Sequence, residues 1–148
     1  MTDLLIKNAT LVNDNDTFEA DLRVRAGRID QIGADIAAMA GETVIDGAGC
    51  WLMPGMIDDQ VHFREPGLTD KADLASESAA AVAGGITSFM DMPNVKPPTV
   101  DHDAMVAKHA LAKGRCTANY GFHFGATNDN IEEIKKLDTR LSAGVKIF

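Results

Sequence analysis

A chain of 148 residues that is 45% hydrophobic and 24% charged has the balance of a soluble globular protein and can bury a core. Its formal net charge of -8 argues against a nucleic-acid or anionic-membrane partner, because both bind basic surfaces. It does not exclude a small anionic substrate. Cys50 and Cys116 form no disulfide framework, and the N-terminal residues lack the features of a signal peptide, so we expect a cytoplasmic protein.

Short strands are predicted in the first third of the chain. Residues 4–12 are apolar and rich in β-forming types, residues 21–26 alternate between apolar and charged, and residues 29–32 can return as a hairpin. Another short strand is predicted over residues 42–46. We therefore predict a small β-sandwich module over residues 1–53.

After this module, strand and helix patterns alternate. Strands are predicted over residues 56–63, 86–92 and 117–124 and from 143 onwards, with helices over 73–83 and 101–113 and from Asn128 or Asp129 onwards. This alternation is typical of parallel βα units. An open doubly wound sheet would accommodate it. The end of the chain in mid-strand favours an α/β fragment instead, the truncated first half of a (β/α)8 TIM barrel over residues 54–148.

Four polar residues alternate along the first strand of this second region. They are Asp58, Gln60, His62 and Arg64. Because side chains alternate along a strand, these four are expected on one face, and ligands two positions apart lie roughly 6.6 Å apart at Cα, close enough to share a cation. The ordinary alternative is an edge strand whose polar side faces water.

The later strands add polar residues at the same predicted rim. Asn94 follows the second strand, and His123 lies on the third, where packing is a more common role for a histidine than metal binding. Lys146 lies among apolar residues of the fourth strand. A buried ammonium is costly, so Lys146 must reach solvent, find a partner or change its chemistry.

The segment from Pro54 to Gly67 resembles the first barrel strand of dihydroorotases, a family of the amidohydrolase superfamily, whose pattern is D-x-H-x-H-x-R-E-P-G. Residues 81–87 (AVAGGIT), 92–97 (MPNVKP) and 118–129 (ANYGFHFGATND) resemble the same family. The R-E-P-G and M-P-N pieces separate it from hydantoinases, and less cleanly from allantoinases. The resemblance implies a β module beside a (β/α)8 barrel that holds one or two divalent metal ions, usually zinc.

The resemblance also implies roles for individual residues. His62 would bind metal, Arg64 and Asn94 would hold a substrate carboxylate, and Lys146 would be carboxylated and bridge two metals. Asp58 would orient the ligands. Gln60 stands where the family has its first histidine, and a neutral amide oxygen replaces imidazole poorly on zinc, so Gln60 is a weak candidate ligand. The general base is expected beyond residue 148.

The implied activity is that of a dihydroorotase, the reversible cyclisation of N-carbamoyl-L-aspartate to dihydroorotate in pyrimidine biosynthesis, by a homo-oligomer. Two alternatives stay open. One is an allantoinase-like cyclic amidohydrolase, and the other is a non-catalytic dihydroorotase homologue that serves as a partner subunit, which Gln60 motivates. In each case we expect the rest of the barrel from a missing C-terminal part, and no activity from these 148 residues alone.

Overall fold

The computed structural model describes residues 3–148, and the chain divides into two compact units between Pro54 and Gly55. Residues 1 and 2, which the predicted β module includes, lie outside the described residues. No helix that the structure describes combines the length and hydrophobicity needed to span a bilayer.

The first unit is one sheet of five strands, whose bounds are β1 Leu4–Asn13, β2 Asp16–Arg25, β3 Arg28–Gly33, β4 Thr43–Asp46 and β5 Trp51–Leu52. The strand order is β3-β2-β1-β4, with β5 also paired to β1. Strands β1, β2 and β3 pair antiparallel as hairpins, whereas β4 and β5 run parallel to β1.

The two faces of this sheet differ in chemistry. One face carries Leu11, Leu22, Phe18 and Ile29 around an apolar groove of about 610 Å³. The β-rich character of the predicted module is confirmed among the described residues, which form a single sheet, whereas a second sheet that would complete a β-sandwich stays a prediction. Alternation in the sequence identifies an apolar face but does not identify the layer that covers it.

The second unit alternates strands and helices, whose bounds are β6 Met56–Val61, α1 Leu74–Ala83, β7 Ile86–Asp91, α2 His102–Ala112, β8 Asn119–Gly125, α3 Ile131–Lys135 and β9 Gly144–Lys146. The four strands are parallel in the order β6-β7-β8-β9. The predicted α/β class and parallel βα arrangement are confirmed. The four strands are half the number in a (β/α)8 barrel.

Helix starts in this unit follow local capping. Asp73 caps α1 by accepting hydrogen bonds from the amides of Ala75 and Ser76, and Asp101 caps α2. The predicted start of α3 at Asn128 or Asp129 is wrong, because the helix begins at Ile131.

The start of α3 is displaced by a tertiary contact. The Asn130 side chain donates to the carbonyls of Val100 and Gly125, at 2.9 and 2.8 Å, and accepts from the amide of Thr127. These bonds hold the preceding loop in a non-helical path, so a capping box between Asp129 and Glu132 does not form.

The core of the second unit lies between the helices and one face of the sheet. Its buried members include Phe63, Leu74, Phe89, Met105, Phe122 and Phe124. Burial of each large side chain contributes roughly 1.5–3 kcal/mol. Since these residues fix the helix-facing side, the other side of the sheet is left for polar residues near the strand ends.

Candidate functional site

Two loops meet where β6 and β7 end. The first loop covers residues 62–67 and the second covers residues 92–97. The Lys96 amide donates to the Pro66 carbonyl at 3.0 Å. Gly67 has a φ of +78° and lies so close to Lys96 that an added Cβ would stand 1.9 Å from the Lys96 carbonyl oxygen. Glycine alone satisfies both requirements, so these two loops pack as one.

His62 and Asn94 face each other across the two loops. His62 Nδ1 lies 2.9 Å from Asn94 Oδ1, and both residues are exposed. An amide oxygen only accepts, so Nδ1 donates its proton, and in a neutral ring Nε2 then has a lone pair. Nε2 can therefore bind a metal or a proton, and the Asn94 amide group keeps its N–H donors for another ligand.

Arg64 adopts a strained backbone conformation beside this pair. Its φ of +68° lies in the left-handed region, which costs a residue with a side chain about 1–2 kcal/mol. Hydrogen bonds hold the chain on both sides of it. The Phe63 amide donates to Asp91 Oδ1 at 2.8 Å, and the Glu65 carboxylate accepts from the Leu74 amide at 3.0 Å. The fold therefore maintains an unfavourable conformation at a predicted binding residue.

Asp58 does not share the face of Gln60. The register of β6 against β7 shifts between Asp58, which lies opposite Phe89, and Val61, which lies opposite Asp91. Three residue steps in β6 thus span two in β7, which is a bulge. Partners in parallel strands face the same side, so Asp58 is on the helix-facing side with Phe89. The prediction that Asp58 alternates in step with Gln60, His62 and Arg64 is wrong.

The side chain of Asp58 has a local partner instead. Its Oδ1 accepts from the Gln60 amide at 3.1 Å. Gln60 itself is exposed on the side opposite Val61, which packs against the core. The contact made by Asp58 supports the backbone of the bulge, and its predicted role in orienting metal ligands stays a prediction.

His123 crosses the inner side of the sheet. Its Nε2 lies 3.0 Å from the Asp59 carbonyl in the bulge of β6, so Nε2 is the donor. The other ring nitrogen is near Gly144, its partner in β9. This hydrogen bond joins β8 to β6 across the sheet, and the expectation that His123 is not a metal ligand stays a prediction.

Lys146 lies on β9 opposite Gly125 and is half-buried. Its Nζ is 5.6 Å from the centre of the Phe148 ring, a distance at which a cation is attracted to the ring face. Within residues 3–148, no hydrogen bond or ion pair joins Lys146 to His62. The structure therefore brings His62, Arg64 and Asn94 to two adjoining loops and leaves Lys146 separate from their contacts.

These residues do not complete a metal site. No group of three His, Cys, Asp or Glu side chains converges anywhere in the described part of the chain. Near the strand ends the candidate donors include Nε2 of His62, Nδ1 of His123, the neutral amide of Gln60 and the amine of Lys146. An amide is a weak ligand and a protonated amine is not a ligand, so this donor set falls short of what zinc needs.

Asp91 and Lys108 are functional candidates that the sequence analysis missed. Lys108 Nζ lies 2.7 Å from Asp91 Oδ2, and the two side chains are 1% and 0% exposed. The signal was present: Asp91 ends an apolar strand, and Lys108 stands at helical spacing from the buried Met105 and Ala112. Opposite charges at two buried positions indicate an ion pair.

A parallel βα sheet with polar side chains gathered beyond its strand ends is typical of α/β enzymes. The model of the amidohydrolase family matches residues 51–148, and the chain belongs to that family. Its relatives are hydrolases.

Three known proteins illustrate the similarity. A dihydroorotase of Methanosarcina mazei is 39% identical over 137 residues, which is 93% of this chain and 30% of that protein. An allantoinase of Escherichia coli is 35% identical and matches 99% of this chain and 32% of its own length. The structure of an L-hydantoinase (dihydropyrimidinase) from Arthrobacter aurescens has a TM-score of 0.85 and 34% identity over 98% of this chain and 32% of that one. The chain thus spans about a third of the length of these relatives.

Proposed function

We propose that the intact gene product is a dihydroorotase, which reversibly cyclises N-carbamoyl-L-aspartate to dihydroorotate. The observation that carries this proposal is the contact between His62 and Asn94 beside Arg64. It leaves the Asn94 N–H donors available, and Arg64, on the same loop as His62, has no side-chain hydrogen bond or ion pair within residues 3–148. Relatives named dihydroorotase support the proposal at 38–44% identity, while relatives named L-hydantoinase and allantoinase are also similar to the chain.

The chemistry of the substrates favours this choice. Dihydroorotate carries a carboxylate on its ring, whereas allantoin and simple hydantoins carry none. A guanidinium binds a carboxylate through two parallel hydrogen bonds, and an amide N–H can add a third. Arg64 and Asn94 are therefore best suited to a substrate with an anionic group.

The substrate preference is tested with three cyclic amides. We expect the intact gene product to hydrolyse dihydroorotate with a much higher kcat/KM than allantoin or a 5-alkyl hydantoin. The reason is that only dihydroorotate has a carboxylate that can accept hydrogen bonds from both Arg64 and Asn94. Initial rates for each compound at several concentrations provide the measurement. A higher kcat/KM for allantoin or the hydantoin contradicts the dihydroorotase assignment in favour of the allantoinase-like alternative.

We propose zinc as the cofactor, as the resemblance implies, with His62 Nε2 as a ligand. A carboxylated Lys146 would add an anionic oxygen ligand in place of an ammonium, which has no lone pair for a metal. Gln60 would contribute little. Other ligands would come from elsewhere in the intact gene product, since the described residues do not complete a site.

Gln60→His is expected to raise zinc affinity roughly 10- to 100-fold, a range typical of changes around a metal centre. The reason is that an imidazole replaces a neutral amide two positions from His62. His62→Ala is expected to lower zinc affinity by a similar factor. Competition titrations against a zinc chelator measure both effects in the intact gene product.

The matched control is His102→Ala, which removes an exposed imidazole at the start of α2. It should leave zinc affinity unchanged. Zinc binding by His62→Ala equal to that of the control would remove His62 from the ligand set.

A second function, that of a non-catalytic partner subunit, is favoured by one observation. By the resemblance, Gln60 occupies the position of the family's first histidine. Metal content and turnover of the intact gene product separate the two functions. A preparation that contains no zinc, does not turn over dihydroorotate even with added zinc, and copurifies with another enzyme subunit supports the second.

A further inference from the structure

Asp91 and Lys108 form an ion pair in the core of the second unit. Their charged atoms are 2.7 Å apart and both side chains are almost wholly inaccessible. Burial lowers the pKa of Lys108, and attraction to the Asp91 carboxylate opposes this change. Buried pairs gain little net stability because both ions lose their hydration, so the pair calls for an explanation other than stability alone.

Each partner also holds the backbone at the end of a strand. Asp91 Oδ1 accepts from the amide of Phe63, the residue between His62 and Arg64. Lys108 Nζ donates to the carbonyl of Met92, two residues before Asn94, at 2.9 Å. The pair therefore ties the start of the first loop to the start of the second.

The contact between His62 and Asn94 depends on this placement. Both side chains are exposed, so packing around them does not fix their separation of 2.9 Å. Their relative position is set by the backbone beneath them, and Phe63 and Met92 are the points at which the buried pair holds that backbone. A shift of either strand end would separate His62 Nδ1 from Asn94 Oδ1.

We propose that the Asp91–Lys108 ion pair is a positioning device for the substrate-binding loops. It sets the spacing of His62 and Asn94, and with it the tautomer of His62 and the direction of the Asn94 N–H donors. The expected effect of this ion pair on substrate affinity rests on the proposed dihydroorotase function. The expected effect of the ion pair on His62 is independent of that function.

The first test is spectroscopic and uses the intact gene product labelled with ¹⁵N. In the wild type, the bond of the His62 Nδ1 proton to Asn94 should slow its exchange with water, so we expect a resolved imidazole N–H signal that His62→Ala removes. A wild type without this signal overturns the proposal. Lys108→Met keeps the side-chain length and removes the ammonium. We expect this variant, and Asn94→Ala, to lose the signal through exchange with water. A signal unchanged in Lys108→Met overturns the proposal.

The second test is a double-mutant cycle on KM for dihydroorotate. Lys108→Met is expected to raise KM roughly tenfold, within the range of coupling between residues of one network. In the Asn94→Ala background the same change should have no additional effect on KM, because Asn94 is the group it acts through. Equal effects in both backgrounds overturn the proposal.

Two further variants separate positioning from stability. The combination of Asp91→Asn and Lys108→Met removes both charges, so the protein stays folded without an unpaired buried ion, and it should still lose the His62 signal. The matched control removes the buried ion pair of the first unit through Arg23→Met with Glu42→Gln. It should leave KM and the His62 signal unchanged, whatever its effect on the melting temperature. If the control changes them equally, the role of Asp91 and Lys108 is structural only.

Absence of turnover in the wild type would contradict the proposed function and leave the spectroscopic test intact. The failure of the two proposals is therefore distinguishable.

Discussion

Residues 1–148 purified alone are expected to show no turnover of dihydroorotate. The described residues contain no cluster of three metal-binding side chains. The sheet also has β6 and β9 as open edges, and Ile57, Ile147 and Phe148 are 64%, 77% and 75% exposed. Unpaired edges next to exposed apolar side chains favour aggregation. Size-exclusion chromatography, zinc analysis and a turnover assay provide the measurements.

The control for this experiment is the intact gene product, assayed at the same protein and zinc concentrations. It separates an inactive chain from unsuitable assay conditions. A monodisperse monomer of the 148-residue chain that converts dihydroorotate would show that four strands suffice for the chemistry.

Replacement of Arg64 in the intact gene product is expected to raise KM for dihydroorotate roughly 10- to 100-fold, because hydrogen bonds to a charged group contribute about 1.5–3 kcal/mol. Arg64→Lys should raise KM as well, since an ammonium cannot make the paired hydrogen bonds of a guanidinium. Arg64→Gly and Arg64→Ala should raise KM equally, but they should differ in stability.

The difference in stability follows from the backbone. At a φ of +68° glycine is unstrained, so relief of strain should make the free energy of unfolding of Arg64→Gly about 1–2 kcal/mol higher than that of Arg64→Ala. The greater entropy of glycine in the unfolded state reduces this difference by up to about 1 kcal/mol. Urea titrations measure the two free energies of unfolding. The kinetic control is Arg140→Ala, whose guanidinium is exposed and paired with Asp138. A KM for Arg64→Lys and Arg64→Gly equal to that of the wild type would exclude Arg64 from substrate binding.

The sequence predicted the order of the elements because that order follows from local patterns. Apolar alternation identified the strands, and Asp73 and Asp101 identified the starts of α1 and α2 by their capping chemistry. The start of α3 was wrong because Asn130 bonds to Val100 and Gly125, which are remote or outside the helix. Local sequence contains no signal for such contacts.

In the candidate site, too, some features follow from local sequence patterns and others depend on strand register or remote contacts. The neighbourhood of His62 and Asn94 could be predicted, since the ends of adjacent parallel strands lie at the same edge of a sheet. The bulge that moves Asp58 off the face of Gln60 could not, because a one-residue shift in register leaves the composition of the strand unchanged. The burial of Lys108 could be predicted from its helical spacing, but its partner could not, because Asp91 lies 17 positions earlier on a different element.

The packing of Gly67 against Lys96 has a consequence for engineering this scaffold. With the Lys96 carbonyl oxygen 1.9 Å from where a Cβ would stand, the two loops cannot be altered independently at this point. A graft that exchanges residues 62–67 of one relative for those of another therefore has to move residues 92–97 with them. We expect the exchange of a single loop to lower the melting temperature more than the joint exchange does, because it would pair two backbones that were not shaped for each other.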